Sequence, residues 1–184
     1  MQGLHRNRTG LTLLELMAVL WLIGILAAVM AASIDLTGWL NLYRLKGSAK
    51  NLFMNMQKAR MNAIAENRDW AILFSTADLS YRLQAKDGSG NWINQGDPVF
   101  LGQGVFYGHG SATCDATEQR EPFTSNNPAA AITFTYKRAT FDSLGLPSKS
   151  GYCYLANASG ATFAVGANTS GVIKMKRWNG NDWQ

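Results

Sequence analysis

The sequence predicts an α+β fold: a long N-terminal helix, membrane-spanning in its first half, packed against a C-terminal domain of antiparallel β-sheets. Three observations predict it. Residues 11–32 form a nearly unbroken apolar run. Residues 33–66 contain no proline and carry apolar residues at helical spacing. Beyond Asn67, short β-branched and aromatic runs alternate with Gly, Ser, Asn and Pro. The chain divides accordingly into residues 1–10 as a short basic leader, 11–66 as the helix with 11–32 transmembrane, and 67–184 as a β-rich head.

Between Leu11 and Ala32 only Thr12, Glu15 and Gly24 are not apolar. A helix of about 22 residues is about 33 Å long, enough to cross the hydrocarbon core of a bilayer. Two ordinary readings compete for this run. A secretory signal has an apolar stretch of roughly 7–15 residues followed by a small-residue cleavage site. This run is longer, although Ala27, Ala28 and the Ala31–Ala32–Ser33 stretch could serve as that site. A plain membrane anchor would be oriented by His5, Arg6 and Arg8, which hold the N-terminus in the cytoplasm and send the rest across. Neither reading explains Glu15. A carboxylate near the start of an apolar helix costs a few kcal/mol or more, and such a residue is functional by default.

The helix is expected to continue past the membrane. Leu36, Leu40, Tyr43, Leu52, Phe53, Met56, Ala59, Ala63 and Ile64 recur at near-helical spacing, with Arg44, Lys46, Lys50, Lys58 and Arg60 between them. This reads as an amphipathic second half lying against the head. Gly38 and Gly47 each lower helix propensity by about 1 kcal/mol relative to Ala. A bend is expected near Thr37–Trp39.

Strands are expected at residues 70–75, 79–86, 92–93, 99–107, 131–137, 139–141, 152–157, 161–167 and 172–178. Residues 87–91, an Asp-Gly-Ser-Gly-Asn run, are a strong turn signal. The runs at 158–160 and 168–171 mark hairpins. Residues 108–127 read as a loop that carries Cys114.

Lys and Arg total 17 against 12 Asp and Glu, a formal charge of +5. Losing Arg6 and Arg8 with the leader takes this to +3, too little to argue a nucleic-acid partner. With only Cys114 and Cys153, one pairing exists. Both lie in the part placed outside the membrane, where disulfides persist. The expected bond would close a loop of about 40 residues, worth about 4 kcal/mol in the chain-entropy model. The alternative is two free, buried thiols behaving as small apolar residues.

No catalytic constellation is present in the sequence, and no cofactor is implied. His5 lies in the leader, and His109 sits in a Gly-rich loop and reads as a loop or surface residue. Gly102–Gln103–Gly104 precedes no helix and reads as a turn. The absence of a Walker motif assigns any assembly ATPase to another protein. The chain is expected not to be an enzyme.

The run Arg8–Thr9–Gly10–Leu11–Thr12–Leu13–Leu14–Glu15–Leu16 resembles the class III signal of type IV prepilins and pseudopilins. Gly10, Leu11 and Glu15 match that pattern position for position. The resemblance implies a prepilin peptidase that cuts between Gly10 and Leu11 and N-methylates Leu11. It also implies that Glu15 meets the N-terminal amine of a neighbouring subunit and so sets assembly register. A lone buried carboxylate is unfavourable, and only a correctly placed ammonium offsets the cost.

A second resemblance is to the GspH/FimT group. It rests on residues 58–68, with their Ala-Arg, Ala-Ile and Asn-Arg pairs, and on residues 171–180 as a last strand. Residues from about 92 to 131 match no motif. The resemblance implies a minor pilin of a type IV pilus that starts or caps fibre assembly within a minor-pilin complex. The rivals it leaves are the H-type pseudopilin of a type II secretion system and a DNA-uptake receptor on the same scaffold. Implied partners are other minor and major pilins or pseudopilins, the prepilin peptidase and an inner-membrane assembly platform. Implied too is a single pass through the inner membrane, N-terminus cytoplasmic and head periplasmic, followed by entry into the fibre.

DNA contact would fall on Lys174, Lys176 and Arg177, beside Trp178 and Trp183. DNA receptors of this group carry Gly-Arg-x-Arg in the last strand. Here Val172 stands at the first Arg position and Lys174 at the second. The competing reading is a solvated edge strand whose lysines block aggregation.

Overall fold

The computed structural model describes residues 12–33, 36–125 and 127–184. The chain forms two compact units, Met1–Thr37 and Gly38–Gln184. Among the described residues of the first unit there is one helix, α1, Leu13–Ser33. Thr12 caps it. Its hydroxyl oxygen accepts the Glu15 N–H at 3.2 Å, and its carbonyl accepts the Leu16 N–H at 3.1 Å. The side chains from Thr12 to Met30 are all exposed, and all but a few are apolar. A helix apolar on every side and uncovered is suited to lipid rather than to water.

A second helix, α2, spans Leu36–Glu66. The division between the units falls in its first turn. Leu45, Ala49, Leu52, Met56, Ala59 and Ala63 are fully buried and recur every three or four residues. Three of these six residues are alanines, small enough to let the helix axis approach the sheets closely. The helix ends in a Schellman motif. Asn67 adopts φ 48°, its N–H reaches the Ile64 carbonyl at 3.4 Å, and the Arg68 N–H reaches that of Ala63 at 3.2 Å. Asn tolerates this left-handed backbone better than most residues. Glu66 then accepts both Arg68 Nε at 2.7 Å and Trp70 Nε1 at 3.1 Å, which fixes the exit into the first strand.

Among the described residues nine strands follow: β1 Trp70–Ser75, β2 Ser80–Lys86, β3 Trp92–Asn94, β4 Val99–Phe100, β5 Val105–Tyr107, β6 Arg138–Phe141, β7 Gly151–Asn157, β8 Thr162–Ala167 and β9 Ile173–Arg177. They make two antiparallel sheets. The first has the order β3-β2-β1-β6, with β4 also on β2; the second has the order β5-β7-β8-β9. Leu52 and Met56 of α2 share one core with Ile72, Tyr81, Phe141, Tyr107, Leu155 and Val165 of both sheets, all fully buried or nearly so. The Tyr107 hydroxyl donates to the Ser80 carbonyl at 2.7 Å and ties the second sheet to the first. The α+β class expected from the sequence is the one observed.

Two expected strands are corrected. The run 99–107 divides into β4 and β5, which belong to different sheets. Gly104, at φ 78°, turns the chain there, and the Val105 N–H closes on the Gly102 carbonyl at 2.9 Å. The run 131–137 is not a strand. Ile132 makes one bridge to Cys153, and a short 3-10 turn, Thr135–Lys137, follows. Phe134 leaves the strand direction to stack on Phe74 in the core, with ring centroids 6.0 Å apart.

Candidate functional site

Gly10 and Leu11, the expected cleavage and methylation positions, lie outside the described residues. Glu15 is the one charged residue of α1 and stands in its first turn. The positive end of the helix dipole favours an anion there. The carboxylate is exposed in the isolated chain and sits just beyond the Thr12 cap, so a cation from another molecule can reach it.

The contacts of the basic edge set its cations apart. β9 is the outer strand of the second sheet, and the C-terminus adds a further pairing on Arg177. The N–H of Arg177 donates to the Gln184 carbonyl at 2.7 Å, and the Gln184 N–H returns to Arg177 at 2.9 Å. Lys174 and Arg177 are exposed. Lys176 is not the free surface cation that the sequence suggests. Its Nζ donates to the Ala116 carbonyl at 2.7 Å and lies 5.8 Å from the Tyr152 ring centroid. Trp178 and Trp183 are buried against each other, ring centroids 5.4 Å apart, and offer no exposed stacking surface.

The expected Cys114–Cys153 disulfide is also corrected: both cysteines are free thiols. The reason is the alternation of β7. Cys153 is fully buried and faces Tyr81 and Tyr107 between the sheets, whereas its neighbour Tyr154 faces Cys114. Burial pushes the Cys153 thiol well above its ordinary range, which keeps it protonated and inert.

What orders the loop at residues 108–130 is an aromatic cluster rather than a crosslink. His109 stacks on Phe123 with centroids 3.5 Å apart, and Tyr154 meets both rings edge-on at 5.1 Å. The Tyr154 hydroxyl accepts the Ala116 N–H at 2.8 Å, and Trp183 Nε1 donates to the Cys114 carbonyl at 3.0 Å. Asp115 caps the local turns at Thr117 and Glu121. His109 is therefore a core residue, 2% exposed, not a surface histidine. Burial lowers its pKa, so the ring is neutral. Among the described residues there is no group of three His, Cys, Asp or Glu side chains placed to hold a metal ion.

The architecture matches solved structures. The chain is similar to the type IV minor pilin FimU of Pseudomonas aeruginosa, with a TM-score of 0.53 and 10% identity over 79% of this chain and 96% of that one. This is a GspH/FimT-like pilin fold. The minor pseudopilin EpsH from the type 2 secretion system of Vibrio cholerae also aligns, with a TM-score of 0.49 and 14% identity over 72% of this chain and 95% of that one. No family model matches the sequence, and no curated protein matches it. The pilin-like head thus shares a backbone arrangement with FimU under almost wholly different side chains.

Proposed function

We propose that this chain is a minor pilin of a type IV pilus, a structural subunit and not an enzyme, which helps start or cap the fibre as part of a minor-pilin complex. One observation carries the reading. A window of membrane-crossing length and composition, Leu13–Met30, holds a single carboxylate, Glu15 in its first turn, on the same chain as a head that resembles FimU. In this reading a prepilin peptidase cuts between Gly10 and Leu11 and methylates Leu11. The helix then holds the subunit in the inner membrane with its head in the periplasm. Glu15 meets the terminal amine of the next subunit, and an inner-membrane platform feeds both into the fibre. A carboxylate in hydrocarbon is costly, and a partner ammonium offsets the cost only at one register. Misplaced subunits are rejected for that reason.

No specific observation favours the secretion-system or DNA-receptor readings. With Lys176 committed to Ala116 and Tyr152, β9 keeps only Lys174 and Arg177 as open cations. The test is Glu15→Ala in the natural host. The variant is expected to accumulate in membranes at the parental level and to be absent from sheared fibres. Parental incorporation of Glu15→Ala into fibres would refute the registry role.

A further inference from the structure

The second unit carries a cavity of about 410 Å³ lined by Trp39, Leu42, Tyr43, Lys46, Phe163 and Arg177. α2 supplies one wall and the paired positions Phe163 and Arg177 of β8 and β9 supply the other. Phe163 is buried and Leu42 half-buried, so the floor is apolar. Trp39 and Tyr43 stand one helical turn apart and stack, with centroids 5.8 Å apart and planes 22° apart. They remain 63% and 67% exposed, an unusual state for two large aromatic rings. Lys46 and Arg177 take part in none of the ion pairs of the described residues, which join Arg68 to Glu66, Lys86 to Asp69 and Arg120 to Asp182. α2 has no acidic residue before Glu66. The cavity is therefore aromatic, open and cationic, with no internal counter-charge on its helix.

We propose that this cavity binds the phosphate-bearing headgroup of an anionic phospholipid, and so holds the head against the membrane surface before the subunit enters the fibre. The proposal rests on reading α1 as a membrane span. Trp39 follows Met30, the end of the apolar window, by nine residues. Nine residues cover about 14 Å as a helix and at most about 30 Å extended, so either path leaves Trp39 within reach of the headgroup layer. Trp and Tyr favour that layer because their rings are apolar and their edges polar. Lys46 supplies a point charge and Arg177 a planar fork, the two complementary ways of holding a phosphate. An apolar floor suits the glycerol and first acyl carbons, which a free anion lacks. The headgroup of phosphatidylcholine adds a quaternary ammonium that Lys46 and Arg177 repel, so the pocket favours a headgroup of net negative charge.

The experiment uses the full chain, purified in a neutral detergent. Retention of phosphatidylglycerol and of phosphatidylcholine is compared by native mass spectrometry, with free glycerol phosphate as competitor. Phosphatidylglycerol is expected to be retained preferentially. Lys46→Ala and Arg177→Ala are each expected to weaken retention about fivefold, and the double variant about 25-fold. Lys58→Ala, on the same helix but outside the cavity, is expected to change little. Both cavity cations are exposed, so the variants are expected to keep the parental melting temperature. Equal retention of the two lipids overturns the proposal. So does a double variant that keeps parental retention, including one that loses only fibre incorporation, which would make the cavity a subunit contact. Displacement by free glycerol phosphate as effective as by lipid also overturns it in favour of a soluble anion. Failure of the membrane reading is separately visible, because the chain would then leave membranes in alkaline carbonate without detergent.

Discussion

His109 concentrates what the sequence conceals at the scale of single residues. A lone histidine between glycines reads as a surface residue, yet here it is almost completely buried between Phe123 and Tyr154. Its pKa in the folded state lies below the ordinary value of about 6.5, because burial disfavours the charged ring. The unfolded chain therefore binds this proton first as pH falls, and folded stability drops below about pH 6.5. His109→Phe keeps the stack and removes the titration. Thermal melts between pH 7.5 and 5.5, taken on parent and variant, are expected to show a steeper loss in the parent. Equal slopes would show that His109 does not govern this pH window. The other residue-level surprises have the same origin as His109. Lys176 reaches a carbonyl 60 positions away, and Cys153 looks inward because β7 is covered on both faces. No local pattern encodes such contacts. Glu15, by contrast, stands out in the sequence itself as the one charge in an apolar run, and the register role proposed for it rests on that placement.

At the scale of elements, legibility followed periodicity. The strands at residues 70–75 and 152–157 carry their pattern in consecutive residues and fold where the pattern places them. The stripe read in α2 holds at Leu52, Met56, Ala59 and Ala63, whereas Leu40, Tyr43 and Ile64 are exposed and Leu45 and Ala49 supply the rest of the buried face. Elements whose fate depends on distant partners were misread. Phe134 leaves its strand for Phe74, and the loop at residues 108–130 closes on Tyr154 rather than through a disulfide. The loop yields a direct expectation. Reductant should leave the melting temperature of the folded chain unchanged. Tyr154→Phe should lower stability by about 1–3 kcal/mol, because it strips the acceptor from the buried Ala116 N–H while keeping the ring. A reductant-sensitive melt would return the loop to a crosslinked account, and a Tyr154→Phe variant as stable as the parent would show that the Tyr154 hydroxyl does not hold the loop.

Over the whole molecule, the fold class was readable from three composition shifts, while the two-sheet arrangement came from pairings the sequence does not display. β4 and β5 lie four residues apart and join different sheets, because the turn at Gly104 redirects the chain. The head resembles FimU at 10% identity, so what the two share is the backbone arrangement. The proposed function rests on the opposite end of the chain, where a helix of membrane-crossing length carries a carboxylate in its first turn. The central claim is that this end is processed and then assembled. Its most direct measurement is mass spectrometry of the N-terminal peptide from membranes or sheared fibres of the natural host. The account predicts a peptide that starts at Leu11 and carries one extra methyl group. A chain that keeps residues 1–10, or one that starts after the Ala31–Ala32–Ser33 stretch, would contradict it.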